Sequence, residues 1–143
     1  MEPTMRRATA ADFPQILGLL TASHLPLAGL QGPENFVVLR RGDEVLGCAA
    51  IERYASVGLL RSVAVLAAER DKGLGRKMIE ELLNQAHQEE FSEIILLTTT
   101  AAKFFAGLGF ERIERHQAPP AVQSSVEFQG ACPDSATVML RKL

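Results

Sequence analysis

The fold turns on one stretch, Val63-Ala64-Val65-Leu66-Ala67-Ala68-Glu69-Arg70-Asp71-Lys72-Gly73-Leu74-Gly75-Arg76. An apolar strand runs into a charged loop, and the loop delivers two glycines to the start of a long helix. Leu74, Met78, Ile79, Leu82, Leu83 and Ala86 recur at helical spacing, with Arg76, Lys77, Glu80, Glu81 and Gln85 opposite them. The first amides of such a helix have no carbonyl one turn back, and its dipole is positive at that end. A helix start of this kind attracts anions, and Gly73 and Gly75 let a phosphate approach the backbone with no Cβ in the way. Arg70, Lys72, Arg76 and Lys77 outnumber Glu69 and Asp71, so the loop suits a polyanionic ligand.

Spacing eliminates two common phosphate binders. No segment supplies the G-x-x-x-x-G-K-[ST] of a P-loop. A dinucleotide fold needs G-x-G-x-x-G directly after its first strand and an acid closing the next one. Here Met78 stands where the third glycine belongs, and the following strand ends in Thr98, Thr99 and Thr100.

Upstream of the loop, Met5 to Ala8 reads as a short strand. Thr9 and Asp12 are spaced as a helix cap and its reciprocal partner, before the stripe Phe13, Ile16, Leu17 and Leu20. Prolines and glycines between His24 and Glu34 predict a loop. Phe36 to Arg40 and Val45 to Tyr54 flank Arg41-Gly42-Asp43 as a β-hairpin, and Ala55 to Gly58 turns the chain into a third antiparallel strand, Leu59 to Leu66. Downstream, the unbroken apolar run within Glu93 to Thr98 predicts a strand covered on both faces. A short helix over Ala101 to Gly107, a turn at Gly109 and a strand Phe110 to Glu114 come next. Helical turns from Pro119-Pro120 through Val126 and a last strand Thr137 to Arg141 close the chain. The sum is an α/β layer fold with a mixed, largely antiparallel sheet, and it is not doubly wound.

Composition bounds the rest. A length of 143 residues predicts one domain, 1–143, and 47% hydrophobic with 22% charged residues excludes a disordered or fibrous chain. The net charge of -2 argues against a nucleic-acid partner. No run approaches the roughly 20 apolar residues of a membrane span, and no export signal precedes the first strand, so no membrane partner and a cytoplasmic location are expected. Cys48 and Cys132 match neither a disulfide framework nor a zinc-ligand spacing, and no metal is expected.

Arg70-Asp71-Lys72-Gly73-Leu74-Gly75 resembles the R/Q-x-x-G-x-G/A signature of the GCN5-related N-acetyltransferases and follows a V-A-V strand as that family requires. Phe104-Phe105-Ala106-Gly107-Leu108-Gly109-Phe110 is similar to the family's F-Y-x-x-x-G-F element. The order of strands and helices extends the resemblance over nearly the whole chain. It implies an acyl-CoA N-acyltransferase fold, a mixed sheet with helices on both faces, and an acetyl-CoA-dependent N-acetyltransferase acting on a small-molecule amine. It also implies that the cosubstrate's pyrophosphate rests on the amides of Gly73, Leu74, Gly75 and Arg76 beside Arg70, Asp71 and Lys72. In such folds the pantetheine arm pairs along Ser62, Val63, Ala64 and Val65, with the thioester between this strand and Glu93 to Thr98. Thr98, Phe104 and Phe105 complete the implied cofactor contacts. The Leu59-Leu60-Arg61-Ser62 strand, the Thr98 strand end and the late Cys132-Pro133-Asp134-Ser135-Ala136 segment resemble the arsenic-resistance branch, which implies an amino-acid-like or arsenical acceptor.

The chain departs from the family at the chemistry. Phe105 stands where many members place a proton-donating tyrosine, leaving Tyr54, the only tyrosine, or water as the acid. The strand that bears a glutamate in some relatives reads Leu-Leu-Arg-Ser, leaving Glu52 as the nearest carboxylate and candidate base. Arg61 has two readings, a fork that binds an acceptor oxyanion or an ion pair with Glu52 or another strand acid. The missing tyrosine and glutamate also admit a non-enzymatic acyl-CoA sensor or interaction module. A nucleotide-binding protein using the same loop is a third reading, and a homodimer through an edge strand stays open.

Overall fold

The computed structural model describes residues 2–30, 32–133 and 135–143. The strands are β1 (Thr4–Arg7), β2 (Phe36–Arg41), β3 (Glu44–Tyr54), β4 (Val57–Val65), β5 (Glu93–Thr98), β6 (Glu111–Ile113) and β7 (Thr137–Lys142). The helices are α1 (Phe13–Ala22), α2 (Leu74–Gln88), α3 (Ala102–Ala106) and α4 (Pro120–Gln123). Among the described residues the strands form one sheet in the order β1-β2-β3-β4-β5-β7-β6. β4 and β5 pair in parallel, whereas β1 with β2, β2 with β3, β5 with β7 and β6 with β7 are antiparallel. The parallel pair needs a crossover connection, which α2 supplies.

Local chemistry explains the element ends. The Thr9 amide donates to Asp12 Oδ2 at 2.8 Å, as the spacing predicts. Asp12 is also buried, and Arg6 and Arg40 reach its Oδ1 at 3.2 and 2.9 Å. Gly42 at φ 60° and Asp43 make the β2–β3 turn. Only Ala55 and Ser56 separate β3 from β4, so the turn is shorter than the expected Ala55 to Gly58, and Val57 and Gly58 belong to the strand. In α1 the buried residues are Ile16, Leu19 and Leu20, so Leu19 takes the place expected for Leu17. The helix from Pro120 ends at Gln123, and a separate distorted turn, Glu127–Ala131, follows with Gly130 at φ 119°. Pro133 precedes β7, and the expected segment role of Asp134 lies outside the described residues.

Two compact units are distinguished, Met1–Ile51 with Ser62–Leu82, and Glu52–Arg61 with Leu83–Leu143. The first is built on Ile16, Leu20, Phe36, Val38, Val45, Cys48, Ala50 and Ala64. The second is built on Val57, Leu59, Ile95, Ala118, Val122 and Val138. Each fully buried Leu or Ile contributes roughly 1.5–3 kcal/mol, so a handful per unit outweighs any single surface ion pair.

One residue breaks the expected strand pattern. Ser62 sits in β4 at φ 59°, the left-handed region, where the regular side-chain alternation of a strand is interrupted. A branched side chain is least tolerant of this conformation. Ser62→Val is expected to lower stability by about 1–2 kcal/mol, and Ser62→Gly to leave it unchanged or raised. Equal melting temperatures for Ser62→Val and wild type would show that the strand relaxes without cost.

Candidate active site

The glycine loop belongs to the first unit. Asp71 and Gly73 both adopt positive φ, 63° and 77°, and carry the chain from the end of β4 into α2. A Cβ built on Gly73 meets nothing within 4 Å, so this glycine opens on free space. The first turn of α2 closes with the Lys77 amide donating to the Gly73 carbonyl at 3.1 Å. Arg70 holds the loop's shape, its Nε donating to the Val65 carbonyl at 3.0 Å and its Nη2 to Ser23 Oγ at 3.5 Å. Glu69 is engaged by Arg41 at 3.1 Å and Lys72 at 3.5 Å, and Arg76 pairs with Glu80 at 2.8 Å. Leu74 and Gly75 are half-buried at the helix start. On the preceding strand Val63 and Val65 are half-buried and Ala64 is buried, while the Ser62 carbonyl accepts from the Cys48 thiol at 3.3 Å.

The three candidate catalytic residues meet in the second unit. The Tyr54 hydroxyl donates to Glu52 Oε1 at 2.9 Å, and Arg61 Nη1 reaches Glu52 Oε2 at 3.4 Å. The Arg61 side chain is 0% exposed, against 18% for Glu52. Burial, then the adjoining Glu52 carboxylate, pushes the Tyr54 hydroxyl up to about 12, so it is a protonated donor at neutral pH.

A fourth member of this cluster lies outside every sequence pattern. Glu127 Oε2 stands 3.5 Å from Arg61 Nε, and its side chain is only 5% exposed. Burial raises its carboxyl above the usual carboxylate range while Arg61 pulls it back. Cys132 hydrogen-bonds Glu127, and burial together with that carboxyl pushes the thiol up to about 11. Burial alone pushes Cys48 up to about 12. Both thiols are therefore protonated at neutral pH. The turn that carries Glu127 has no apolar period, so nothing local in Val126-Glu127-Phe128 marks the acid as buried.

The remaining cofactor candidates fall in the second unit. Phe105 is a core residue, edge-on to Phe104 at 5.0 Å and to Phe110 at 5.7 Å, whereas Phe104 is exposed. Thr98 Oγ1 accepts from the Ala101 amide at 3.0 Å and so caps the approach to α3. Among the described residues no group of three His, Cys, Asp or Glu side chains could hold a metal ion. No helix of these residues is long and apolar enough to cross a membrane.

A strand, a glycine loop that opens a helix, and a mixed sheet with one parallel step together describe an acyltransferase type of domain. Residues 32–112 match the acetyltransferase (GNAT) domain, and the chain belongs to that family. It is 33% identical to an uncharacterized N-acetyltransferase of Chlorobaculum tepidum over 62% of this chain and 57% of that protein. It is 28% identical to an amino-acid acetyltransferase of Mycobacterium tuberculosis over 78% of this chain and 70% of that one. N-acetylglutamate synthase from Neisseria gonorrhoeae, solved with coenzyme A and N-acetyl-glutamate, superposes with a TM-score of 0.85 at 22% identity. That match covers 100% of this chain and 35% of the synthase chain. The chain thus spans little more than half of the Chlorobaculum relative and about a third of the synthase. The fold expected from the two motifs is the fold observed, and coenzyme A fits the family.

Proposed function

We propose that residues 1–143 act as one acetyl-CoA-dependent N-acetyltransferase domain that moves an acetyl group directly to the amine of a small, amino-acid-like molecule. The observation that carries this reading is the hydrogen-bonded set Glu52, Tyr54 and Arg61, which supplies a proton acceptor and a proton donor 2.9 Å apart. With Glu127 the cluster holds two carboxylates against one guanidinium, an excess of negative charge that suits an incoming ammonium. Glu52 takes the proton that the ammonium must lose before its nitrogen can attack. The new N–C bond forms as the thioester C–S bond breaks, the Tyr54 hydroxyl donates a proton to the departing sulfur, and the second proton shed by the new amide nitrogen returns to Tyr54. The amides that open α2, with Arg70 and Lys72 beside them, hold the cosubstrate's phosphates.

An amino-acid acceptor is supported by the relative from Mycobacterium tuberculosis that carries that activity in its name. The arsenic-resistance resemblance makes arsenical amino acids the natural variant of the same class. The reading calls for no nucleic-acid or membrane partner and places the reaction in the cytoplasm, in a monomer or a homodimer.

The test is CoA release over a panel of amino acids, arsenical and phosphinic analogues, polyamines and peptides. Turnover is expected with an amino acid or such an analogue. Acetyl-CoA binding with no thiol released by any amine would overturn the transferase and favour an acyl-CoA sensor. Tyr54→Phe is expected to lower kcat about 100-fold with acetyl-CoA affinity unchanged. A loss below twofold would assign the proton to water.

A further inference from the structure

A guanidinium can hold a single carboxylate by two parallel bonds, yet that of Arg61 is divided between two acids. Its Nη1 reaches Glu52 Oε2 at 3.4 Å and its Nε reaches Glu127 Oε2 at 3.5 Å. The Arg61 side chain is closed to water, so two carboxylates share one buried cation. One of the two, Glu52, is the proton acceptor of the proposed transfer.

Glu127 is tied in place by its own turn. The Cys132 thiol donates to its carboxylate, and the Cys132 amide donates to its carbonyl at 3.3 Å. The Gln129 amide on the Ser125 carbonyl at 2.9 Å and the Ala131 amide on the Val126 carbonyl at 3.0 Å close the turn. The charged and titratable groups of this neighbourhood are Glu52 and Tyr54 from β3, Arg61 from β4, Glu127 and Cys132 from the turn, and Arg115 ahead of α4. Burial first, and after it the Glu52 charge, act against ionisation of Glu127, with Arg61 opposing both. Coupling between two such sites is mutual.

A carboxylate gripped by a whole guanidinium is stabilised in its charged form, which makes it a weaker proton acceptor. We infer that Glu127 is a positioning residue for the transfer: it occupies Nε of Arg61, so that the guanidinium meets Glu52 through Nη1 and leaves that carboxylate able to take the acceptor's proton. This inference rests on the transferase reading, and the test separates the two.

CoA release from acetyl-CoA is followed against pH with L-glutamate, L-glutamine and a phosphinic amino acid as acceptor probes. Glu127→Gln removes the charge at nearly constant volume, so Arg61 acts on Glu52 alone. Its kcat is expected to fall about 10-fold with the acceptor KM within about twofold. The acid limb of its kcat/KM profile is expected to move down by about half a pH unit or more. Acetyl-CoA affinity by calorimetry should match wild type, which shows that the fold is kept. Glu127→Asp retains the charge and should return the limb toward its wild-type position. If Glu127→Gln binds no acetyl-CoA, Cys132→Ala takes its place. It removes a hydrogen bond that favours the Glu127 charge, and the same two effects are expected at about threefold in kcat.

An acid limb that stays in place or moves up in these variants overturns the inference, because a merely structural acid leaves the limb where it is. A raised acceptor KM with kcat unchanged overturns it too, and assigns Glu127 to the incoming ammonium. In both cases wild-type turnover leaves the transferase reading standing. Absence of CoA release by wild type with any amine removes the transferase reading and this inference with it.

Discussion

Arg61→Leu is expected to lower stability by about 3–5 kcal/mol at pH 7, because it strands buried Glu127 without its cation. Glu52 is affected less, since part of its side chain still reaches water. The loss should depend on pH in a defined direction. Burial already raises the Glu127 carboxyl above its ordinary value of 4.5, and Arg61, more than the Cys132 hydrogen bond, pulls it back. Without Arg61 the folded-state value climbs further. Between 4.5 and that raised value the folded chain binds more protons than the unfolded one, so stability present at the acid end is lost as pH rises. The deficit relative to wild type should therefore be smallest near pH 4.5 and grow toward pH 7. Paired denaturant titrations at several pH values measure it. A deficit below about 1 kcal/mol, or one flat across that range, would mean that Glu127 finds another partner or water. Adding Glu127→Gln to Arg61→Leu should recover part of the loss, since the stranded charge is then gone.

Gly73→Val is expected to weaken acetyl-CoA binding about 100-fold, through a backbone forced from its left-handed conformation and a side chain placed where the proposed function puts the phosphates. Gly73 has φ 77°, and among the described residues no atom lies within 4 Å of where its Cβ would stand. The penalties of a Cβ there are therefore strain and obstruction of ligand. Gly73→Asn separates the two, because asparagine tolerates the left-handed region. It should melt near wild type and still lose affinity. Calorimetric binding of acetyl-CoA within threefold of wild type in Gly73→Val would refute a phosphate site at this loop.

The glycine loop was legible because each part of it is local. A strand, two glycines and a helical period over Leu74 to Ala86 follow one another directly, and the buried residues Met78, Ile79, Leu82, Leu83 and Ala86 are those the period names. The candidate catalytic cluster was legible only as a set of names. Glu52 and Tyr54 lie on β3 and Arg61 on β4, and which of them face each other depends on the register across the turn. That turn is the two residues Ala55 and Ser56 rather than the four expected, and Ala55 accepts a positive φ of 56° to make it. Nothing in an alanine-serine pair announces such a turn. Ser62 is the same case, since serine carries no mark of a left-handed backbone and the alternation of β4 reads straight through it.

The amino-acid order by itself determined the succession of strands and helices, the glycine-opened start of α2 and the capped entry to α1 at Thr9 and Asp12. These depend on periods, caps and glycines within a few residues of one another, where backbone sterics and hydrogen bonding act directly. Only the tertiary structure decided what Arg61 pairs with. Glu127 and Cys132 come from an irregular segment far along the chain, and they reach Arg61 because the packing of the second unit buries them together. Burial is what turns those side chains into chemistry, by raising the Glu127 carboxyl and fixing the Arg61 fork.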